Sequence, residues 1–198
     1  AILPSPRYVP NDEIAADEEG VPLIDRRLFL LDPRLPEHEI EIRFPTLWAY
    51  LQEGRHRGLH ERYLCAHRTL WYSQENRPAA PIVCTYLGRS DGKSGRPFRF
   101  ILNNSRATIA NVYLAMYPTP GLEKALRRDP QLIRAVWRAL NKITPKQLLG
   151  EGRVYGGGLH KLEPKELANV PAQAIAELLS GEDWPLRQSD LFSTDVAA

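Results

Sequence analysis

A run of three glycines flanked by cationic side chains is the most unusual local feature of this sequence. It lies within the stretch Arg153-Val154-Tyr155-Gly156-Gly157-Gly158-Leu159-His160-Lys161. Glycine lets the backbone approach another backbone or a phosphate closely, and Arg, His and Lys side chains suit phosphate contact. The stretch lacks the spacing of a P-loop or of a dinucleotide-binding fingerprint. It favours phosphate or base contact at Arg153, Gly157, His160 and Lys161, with a flexible turn between helices as the alternative.

Aromatic and arginine side chains are interleaved in a second stretch, Arg68-Thr69-Leu70-Trp71-Tyr72-Ser73-Gln74-Glu75-Asn76-Arg77. Aromatic rings can stack on an exposed base, and arginine pairs with phosphates. The rings can also cover a core, which is what we expect of Trp71. We predict that Arg68 and Arg77 contact nucleic acid.

Small polar side chains follow a predicted strand in the stretch Leu102-Asn103-Asn104-Ser105-Arg106-Ala107-Thr108. Asn, Ser and Arg carry the donors and acceptors that read base edges. The same residue types are ordinary turn formers. Base contact and a plain turn are equal alternatives for this stretch.

The net charge of +2 hides an uneven distribution of charged side chains. Residues 54–106 hold ten basic and three acidic side chains, a net of +7, and residues 124–165 also carry +7. Residues 1–53 carry −6, and the segment from Glu166 onward carries −5. Two basic blocks between acidic ends indicate a polyanionic partner. Arginine dominates the first block, and its planar fork suits phosphates and guanine edges.

Motifs of catalysis and of metal binding are missing from the sequence. It has no nucleophile elbow, no His-Glu-x-x-His motif and no defensible pair of nuclease carboxylates. Cys65-Ala66-His67 lacks the paired ligands of a zinc site, so we expect no metal and no catalytic residue in this chain. Cys65 and Cys84 are expected to be reduced and buried, in a cytoplasmic protein. We also expect no signal peptide, no membrane partner, and a fragment of a longer protein.

Periodicity and turn residues predict the elements that would position these side chains. We predict an extended, Pro-rich arm or linker over residues 1–40 with a short strand at 28–31, a main domain over 41–180, and a loose acidic tail over 181–198. Strands are predicted at 81–87, 98–103 and 111–118, the first two as a hairpin with a long basic tip. Helices are predicted near 45–52, 60–67, 121–128, 130–142, 146–149, 163–167 and 173–179. The predicted fold class is α+β, with a small, mostly antiparallel sheet flanked by helices.

Several of these segments together resemble the C-terminal part of type II restriction–modification N6-adenine DNA methyltransferases. The resemblance covers most of residues 40–172, and its most specific motif is Tyr155-Gly156-Gly157-Gly158-Leu159-His160-Lys161-Leu162-Glu163-Pro164-Lys165-Glu166-Leu167. The other segments are Phe44-Pro45-Thr46-Leu47-Trp48-Ala49-Tyr50-Leu51, Arg62-Tyr63-Leu64-Cys65, Trp71-Tyr72, Phe98-Arg99-Phe100-Ile101-Leu102-Asn103 and Asn111-Val112-Tyr113-Leu114.

The resemblance implies a two-part enzyme. A Rossmann-like catalytic domain binds S-adenosylmethionine and holds a flipped adenine, since the amine is inaccessible in a stacked duplex. The C-terminal part reads the DNA sequence. This chain has neither an Asn/Asp-Pro-Pro-Tyr/Phe motif nor a Gly-rich cofactor loop after a strand. It is therefore identified as a target-recognition domain without a cofactor of its own, inactive alone, whose partners are double-stranded DNA and the catalytic domain of its parent.

The sequence and the resemblance together give two sets of expected DNA contacts. Phosphate contacts are expected from Arg68, Arg77, Arg96, Arg153, Lys161 and Lys165. Base readout is expected from Arg99, Asn103, Asn104 and Arg106. Two alternatives remain, namely an interaction module that packs on the methyltransferase core without touching DNA, and an enzyme in its own right such as a nuclease.

Overall fold

The computed structural model describes residues 1–75, 77–89, 96–171, 173–179 and 192–196. They form two compact units. The first, here called the sheet unit, consists of Ala1–Leu28 and the described residues from Pro78 onward. The second, here called the helical unit, is Phe29–Arg77. The domain bounds expected at residues 40 and 180 stay predictions.

The sheet unit holds two β-sheets. Its described strands are β1 Glu13–Ile14, β2 Ile82–Thr85, β3 Leu87–Arg89, β4 Phe100–Asn103, β5 Tyr113–Pro118, β6 Arg153–Tyr155, β7 Leu159–Lys161 and β8 Phe192–Val196. The larger sheet has the order β1-β4-β2-β5-β8, and its β1–β4 pair is parallel while its other pairs are antiparallel. The smaller sheet has the order β3-β7-β6 and is antiparallel.

Helices occur in both units. The helical unit contains α1 Glu37–Arg43, α2 Pro45–His56 and α3 Tyr63–Ala66. The sheet unit contains α4 Pro120–Arg128, α5 Leu132–Leu140, α6 Pro145–Glu151, α7 Pro164–Asn169 and α8 Gln173–Leu179. The described residues also include short 3-10 turns at Pro6–Tyr8, Leu59–Glu61 and Gly156–Gly158. The predicted α+β class, mostly antiparallel and flanked by helices, is confirmed.

Helix starts in the sheet unit follow local capping chemistry. The side chain of Thr144 accepts a hydrogen bond from the backbone N–H of Gln147, whose own side chain bonds back, so α6 begins with a capping box. Pro145 occupies the first helical position, where a missing N–H costs nothing. The carboxylate of Asp129 accepts from the backbone N–H of Gln131 at 2.9 Å. Helix α5 therefore begins at Leu132, two residues later than the predicted start.

The core of the sheet unit lies on both faces of the larger sheet. Side chains alternate along β2, so Ile82 and Cys84 pack into one cluster and Val83 into the other. The first cluster is completed by apolar residues of α4–α8. The second is completed by the N-terminal segment, which buries Leu3, Val9 and Ile14. The extended arm over residues 1–40 stays a prediction. The structure shows that apolar side chains of the N-terminal segment cover one face of the larger sheet.

The helical unit has a much smaller core. Ile40, Leu51 and Tyr72 are its buried cluster, with Leu47 and Trp71 among the half-buried residues packed around them. The helix predicted near 60–67 is instead a 3-10 turn followed by the short α3, because the backbone between them is extended. The expectation that both cysteines are buried is confirmed for Cys84 and wrong for Cys65, which is only half-buried.

Two further predictions differ from the structure, and a third is confirmed in its strand pairing. The strand expected at 28–31 does not form, since Leu28 makes only an isolated antiparallel bridge to Ile2 and Phe29 is exposed. Residues 192–196 were expected to be loose and instead form β8 beside β5, because an edge strand is held by its partner rather than by its own sequence. The antiparallel pairing of β2 with β4 is confirmed. Of the basic tip expected over residues 88–97, Gly88 and Arg89 belong to β3, and residues 90–95 lie outside the described residues.

Candidate nucleic-acid interface

The smaller sheet brings together side chains that are far apart in the sequence. Leu87 pairs with Lys161, which pairs with Arg153 on its other side, and Arg89 pairs with Leu159, which pairs with Tyr155. Residues two apart on a strand point to the same face. One face therefore carries Arg89, Arg153, Lys161 and Tyr155 beside the apolar Leu87 and Leu159. We call the first four residues the cationic face.

The β6–β7 hairpin ends in the three glycines that the sequence singled out. Gly157 and Gly158 have φ angles of 72° and 71°, in the left-handed region that side chains rarely adopt. A Cβ added at any of the three glycines would meet no atom within 4 Å. The tip is thus exposed backbone, and the glycines are required by the turn rather than by close packing inside this chain. Val154 and Tyr155 before the tip are 66% and 45% exposed.

A different glycine requirement holds β3 in place. A Cβ at Gly88 would lie 1.4 Å from the backbone oxygen of Pro97, which no rearrangement of a side chain could relieve. The backbone carbonyl of Pro97 therefore occupies the space that a side chain at Gly88 would need, while Gly88 itself pairs with His160 of β7. This close approach fixes β3 at the edge of the smaller sheet and so fixes the position of Arg89.

Two cations of the cationic face are paired with carboxylates of the following segment. Arg153 Nε lies 2.6 Å from Glu166 Oε1, and Lys161 Nζ lies 2.6 Å from Glu163 Oε1. The bond to Glu163 raises the pKa of Lys161 well above its usual range, and the ammonium in turn lowers the pKa of Glu163. Arg89 has no ion pair among the residues that the structure describes. Arg153 and Lys161 therefore keep their positive charges at neutral pH, each beside a carboxylate.

The residues expected to read bases are engaged by the sheet unit to different degrees. Arg99 Nε bonds to Asp12 at 2.6 Å, and its guanidinium also donates to the backbone oxygens of Val9 and Pro10. Asn104 is exposed and donates to Glu13 and to the backbone oxygen of Ile14. The structure thus uses Arg99 and Asn104 to hold the N-terminal segment.

Among these residues, Asn103 and Arg106 differ clearly in solvent exposure. Asn103 is 5% exposed, and its amide nitrogen donates to the backbone oxygens of Ala80 and Ala107. Its amide oxygen accepts from Ser105. Readout of a base by Asn103 would break all of these bonds. Arg106 is exposed, with its side chain beside Gly20.

The remaining expected phosphate contacts are spread over both units. In the helical unit, Arg68 is half-buried and donates to the backbone oxygen of Ser73, while Arg77 pairs with Glu75. In the sheet unit, Arg96 and Lys165 are exposed. Strand pairing places Arg153 and Lys161 on one face of the smaller sheet. The sequence missed Arg89 and Tyr155, because only the strand pairing shows that they share this face.

The described part of the chain has two further properties relevant to function. It contains no group of three or more His, Cys, Asp or Glu side chains placed to hold a metal ion. None of its described helices is both long enough and apolar enough to cross a membrane.

Taken together, this is an α+β protein whose smaller sheet presents cations and an exposed glycine hairpin. A family model described as "Type II methyltransferase M.Eco57I, C-terminal domain" matches residues 22–193. The chain therefore belongs to this family of methyltransferase C-terminal domains.

Two curated relatives agree with that membership. The Type II methyltransferase M.XamI of Xanthomonas campestris pv. amaranthicola is 31% identical over 130 residues, which is 66% of this chain and 22% of the relative. The Type II methyltransferase M.AccI of Acinetobacter calcoaceticus is 32% identical over 120 residues, which is 60% of this chain and 20% of the relative. The matched part thus spans about a fifth of each relative's length. No solved structure matches the chain.

Proposed function

We propose that this chain recognises a specific sequence in duplex DNA for an adenine-N6 DNA methyltransferase of a restriction–modification system. In this proposal the catalytic domain, with its S-adenosylmethionine, lies outside the chain and receives the target adenine from it. Family membership supports a role beside a methyltransferase. The adenine specificity rests on the resemblance, and the role in DNA binding rests on the site.

The observation that carries the proposal is the cationic face with its exposed hairpin. Neighbouring strands lie about 4.8 Å apart, so the two strands of the β6–β7 hairpin form a ribbon narrow enough for the major groove, which is about 12 Å wide. Arg153 and Lys161 lie on one side of that ribbon, and β3 adds Arg89 beside them. The open backbone of Gly157 and Gly158 lets the tip approach a phosphate without a side chain intervening.

The carboxylates beside these cations shape how DNA would bind. Glu163 and Glu166 already satisfy Lys161 and Arg153, so a phosphate must compete for those two side chains. Arg89 has no such competitor among the described residues, and we assign it the first phosphate contact. Base readout is assigned to the exposed Arg106 and, if its bonds to the N-terminal segment exchange, to Asn104. The cytoplasm, where chromosomal DNA would be met, is the proposed location.

The experiment is selection of this chain against a randomised duplex DNA pool at two salt concentrations. The test variant is the double substitution Arg89→Ala with Arg153→Ala. The control is Lys124→Ala with Arg127→Ala, which removes two exposed positive charges from α4 of the same unit. Arg153 itself is exposed, and without it Glu166 still accepts its hydrogen bond from the backbone N–H of Glu163, so the test variant is expected to fold.

Enrichment of one adenine-containing site, with binding that weakens as salt rises, is the expected result. The test variant should lower the slope of log affinity against log salt by about 2, and the control should leave it nearly unchanged. Arg106→Ala should relax preference at one base pair by about 1–3 kcal/mol. No binding at low salt would overturn the proposal. It would favour an interaction module instead, for which Val154, 66% exposed on the opposite face of the smaller sheet, offers an apolar contact.

A further inference from the structure

The helical unit contains a cavity that the cationic face does not explain. It opens between α2 and the segment that runs from Leu59 to Gln74, and its volume is about 290 Å³. Leu31, Tyr50 and Trp71 contribute to its apolar wall, and Arg57, Arg62 and Arg68 contribute its cations. Small-molecule sites typically occupy roughly 300–1,000 Å³, so this cavity suits a ligand at the small end of that range.

The aromatic wall of the cavity is held in position before any ligand arrives. The indole Nε1 of Trp71 donates to Glu37 at 3.2 Å, and its ring meets Tyr72 edge-on with centroids 5.6 Å apart. Gly54 of α2 lies against the indole, so a Cβ at that position would be 3.0 Å from Trp71. Tyr50 is 62% exposed at the mouth. A rigid ring inside and an accessible ring outside form a surface suited to a flat aromatic ligand.

The charges around the cavity favour an anion. Three arginines line it against one carboxylate, Glu53. Arg57 lies 3.6 Å from Glu53, and the guanidinium of Arg68 is held by the backbone oxygen of Ser73 at 2.9 Å. Arg62 is exposed and has no ion pair among the described residues. Its planar fork is therefore available for bidentate contact with a phosphate.

A planar apolar surface beside three arginines, of which Arg62 and Arg68 have no carboxylate partner among the described residues, is the chemistry that recognises a base joined to a phosphate. We propose that this cavity binds a single nucleotide, with its base against Tyr50 and Trp71 and its phosphate at Arg57 and Arg62. The nucleotide comes either from solution or from a DNA strand in which one nucleotide is unstacked. Only the second source rests on the function proposed above.

The first experiment measures the ligand chemistry with calorimetry on this chain. The probes are deoxyadenosine monophosphate, deoxyadenosine and inorganic phosphate. The monophosphate should bind at least about tenfold more tightly than either fragment, because only it meets both walls of the cavity. Equal binding of inorganic phosphate and the monophosphate, or no binding of the monophosphate, would overturn the proposal.

A matched pair of variants locates the site. Arg57→Ala and Arg43→Ala each remove an exposed arginine that pairs with a glutamate four residues earlier on a helix of the helical unit. Arg57 lines the cavity and Arg43 does not. Arg57→Ala and Arg62→Ala should each weaken binding of the monophosphate about tenfold, and Arg43→Ala should leave it unchanged. Equal effects of Arg57→Ala and Arg43→Ala would overturn the assignment.

Cys65 provides an independent readout, since its half-buried thiol also lines the cavity. The monophosphate should slow alkylation of Cys65 in proportion to its occupancy, and Arg62→Ala should abolish that protection at the same concentration. Unchanged alkylation at saturating monophosphate would place the ligand elsewhere and overturn the proposal.

The source of the nucleotide is settled with duplexes. A duplex with one bulged nucleotide should bind more tightly than the fully paired duplex, and Arg62→Ala should remove that preference. If the chain bound the monophosphate but no duplex, the proposed DNA recognition would be contradicted and a site for a free nucleotide supported. If it bound the paired duplex but not the monophosphate, the nucleotide site would be overturned and the proposed DNA recognition would stand. Equal binding of an acidic peptide and of the monophosphate would also overturn the nucleotide assignment.

Discussion

The sheet unit and the helical unit bury their apolar residues to very different extents. Every residue of β2 and of β4 is buried, whereas α2 buries only Leu51 among its twelve residues. In the helical unit Tyr50, Tyr63 and Leu64 are all more than half exposed. A sheet covered on two faces can bury whole strands, while a few short helices bury one stripe each.

This difference has a functional meaning. In the sheet unit the candidate interface lies on a small second sheet, outside a core that is already complete. In the helical unit the exposed rings and arginines border a cavity directly, so binding there would cover apolar surface that folding left uncovered. The sheet unit therefore suits readout by a rigid framework, and the helical unit suits capture of a small aromatic group.

The largest expected effect that tests this comparison is the difference in reactivity between the two cysteines. Cys84 is fully buried in the sheet unit, and burial raises the pKa of its thiol far above its usual value. Cys65 is half-buried in the helical unit. We expect Cys65 to react with a thiol reagent at least about a hundredfold faster, because Cys84 reacts only after the sheet opens.

The reaction is followed by the release of thiolate from an aromatic disulfide reagent at neutral pH. Cys65→Ser should remove the fast phase and leave the slow one. Cys84→Ala should remove the slow phase and leave the fast one. Equal rates for both thiols in the folded protein would mean that the sheet unit is no better protected than the helical unit.

An intermediate effect is expected from the two neighbouring asparagines at the end of β4. Asn103→Ala leaves several buried hydrogen-bonding groups without a partner and should lower the free energy of unfolding by about 2 kcal/mol. Asn104 is exposed, and Asn104→Ala should cost less than about 1 kcal/mol. Urea denaturation measures both.

The same pair separates a structural role from base readout. If Asn103→Ala kept full stability but changed the preferred DNA sequence, the sequence-based assignment of Asn103 to readout would be correct and its structural role wrong.

The smallest expected effect concerns how the N-terminal segment is held to the sheet unit. Glu13 of β1 accepts two hydrogen bonds from Arg134 of α5, at 2.7 and 2.6 Å. These bonds lower the pKa of Glu13 from its ordinary value of 4.5. A lowered pKa means that the pair stabilises the fold fully above that ordinary value and ceases to do so as the pH falls through the folded-state pKa.

Carboxyl NMR titration measures this pKa directly. Arg134→Gln should return the pKa of Glu13 toward 4.5. Arg138→Gln is the control and should raise it less, since Arg138 acts on Glu13 only through its charge and makes no hydrogen bond to it. If the pKa of Glu13 did not change in Arg134→Gln, the pairing of Glu13 with Arg134 would be contradicted.

Local sequence patterns were sufficient where an element depends on its own residues. Pro45 at a first helical turn predicted α2, and a run of β-branched apolar residues predicted β2. The stripe of Leu132, Val136 and Leu140 gave α5, with only its start displaced by the Asp129 bond. The three glycines indicated a turn, and a turn is present. The sequence did not show that two strands, rather than helices, flank it.

Patterns failed where the outcome depends on a distant partner. By residue type, Asn103 and Asn104 were equally good candidates for base contact, yet Asn103 is buried and Asn104 is exposed. Arg99 looked like a DNA-facing cation, and its partner Asp12 lies 87 positions away. No local signal distinguishes these cases, because the periodicity of a strand shows which residues share a face and not which chain covers that face.

The sequence by itself determined the α+β class, most of the helices and central strands, and the motifs by which the family was recognised. Only the tertiary structure decided that β3 leaves the β2–β4 hairpin to pair with β7, which places Arg89 beside Arg153 and Lys161. It also decided that three arginines and three aromatic rings of the helical unit line one cavity. The physical reason is that propensity and capping act over a few residues, whereas strand partners and cavity walls are selected by burial of the whole chain.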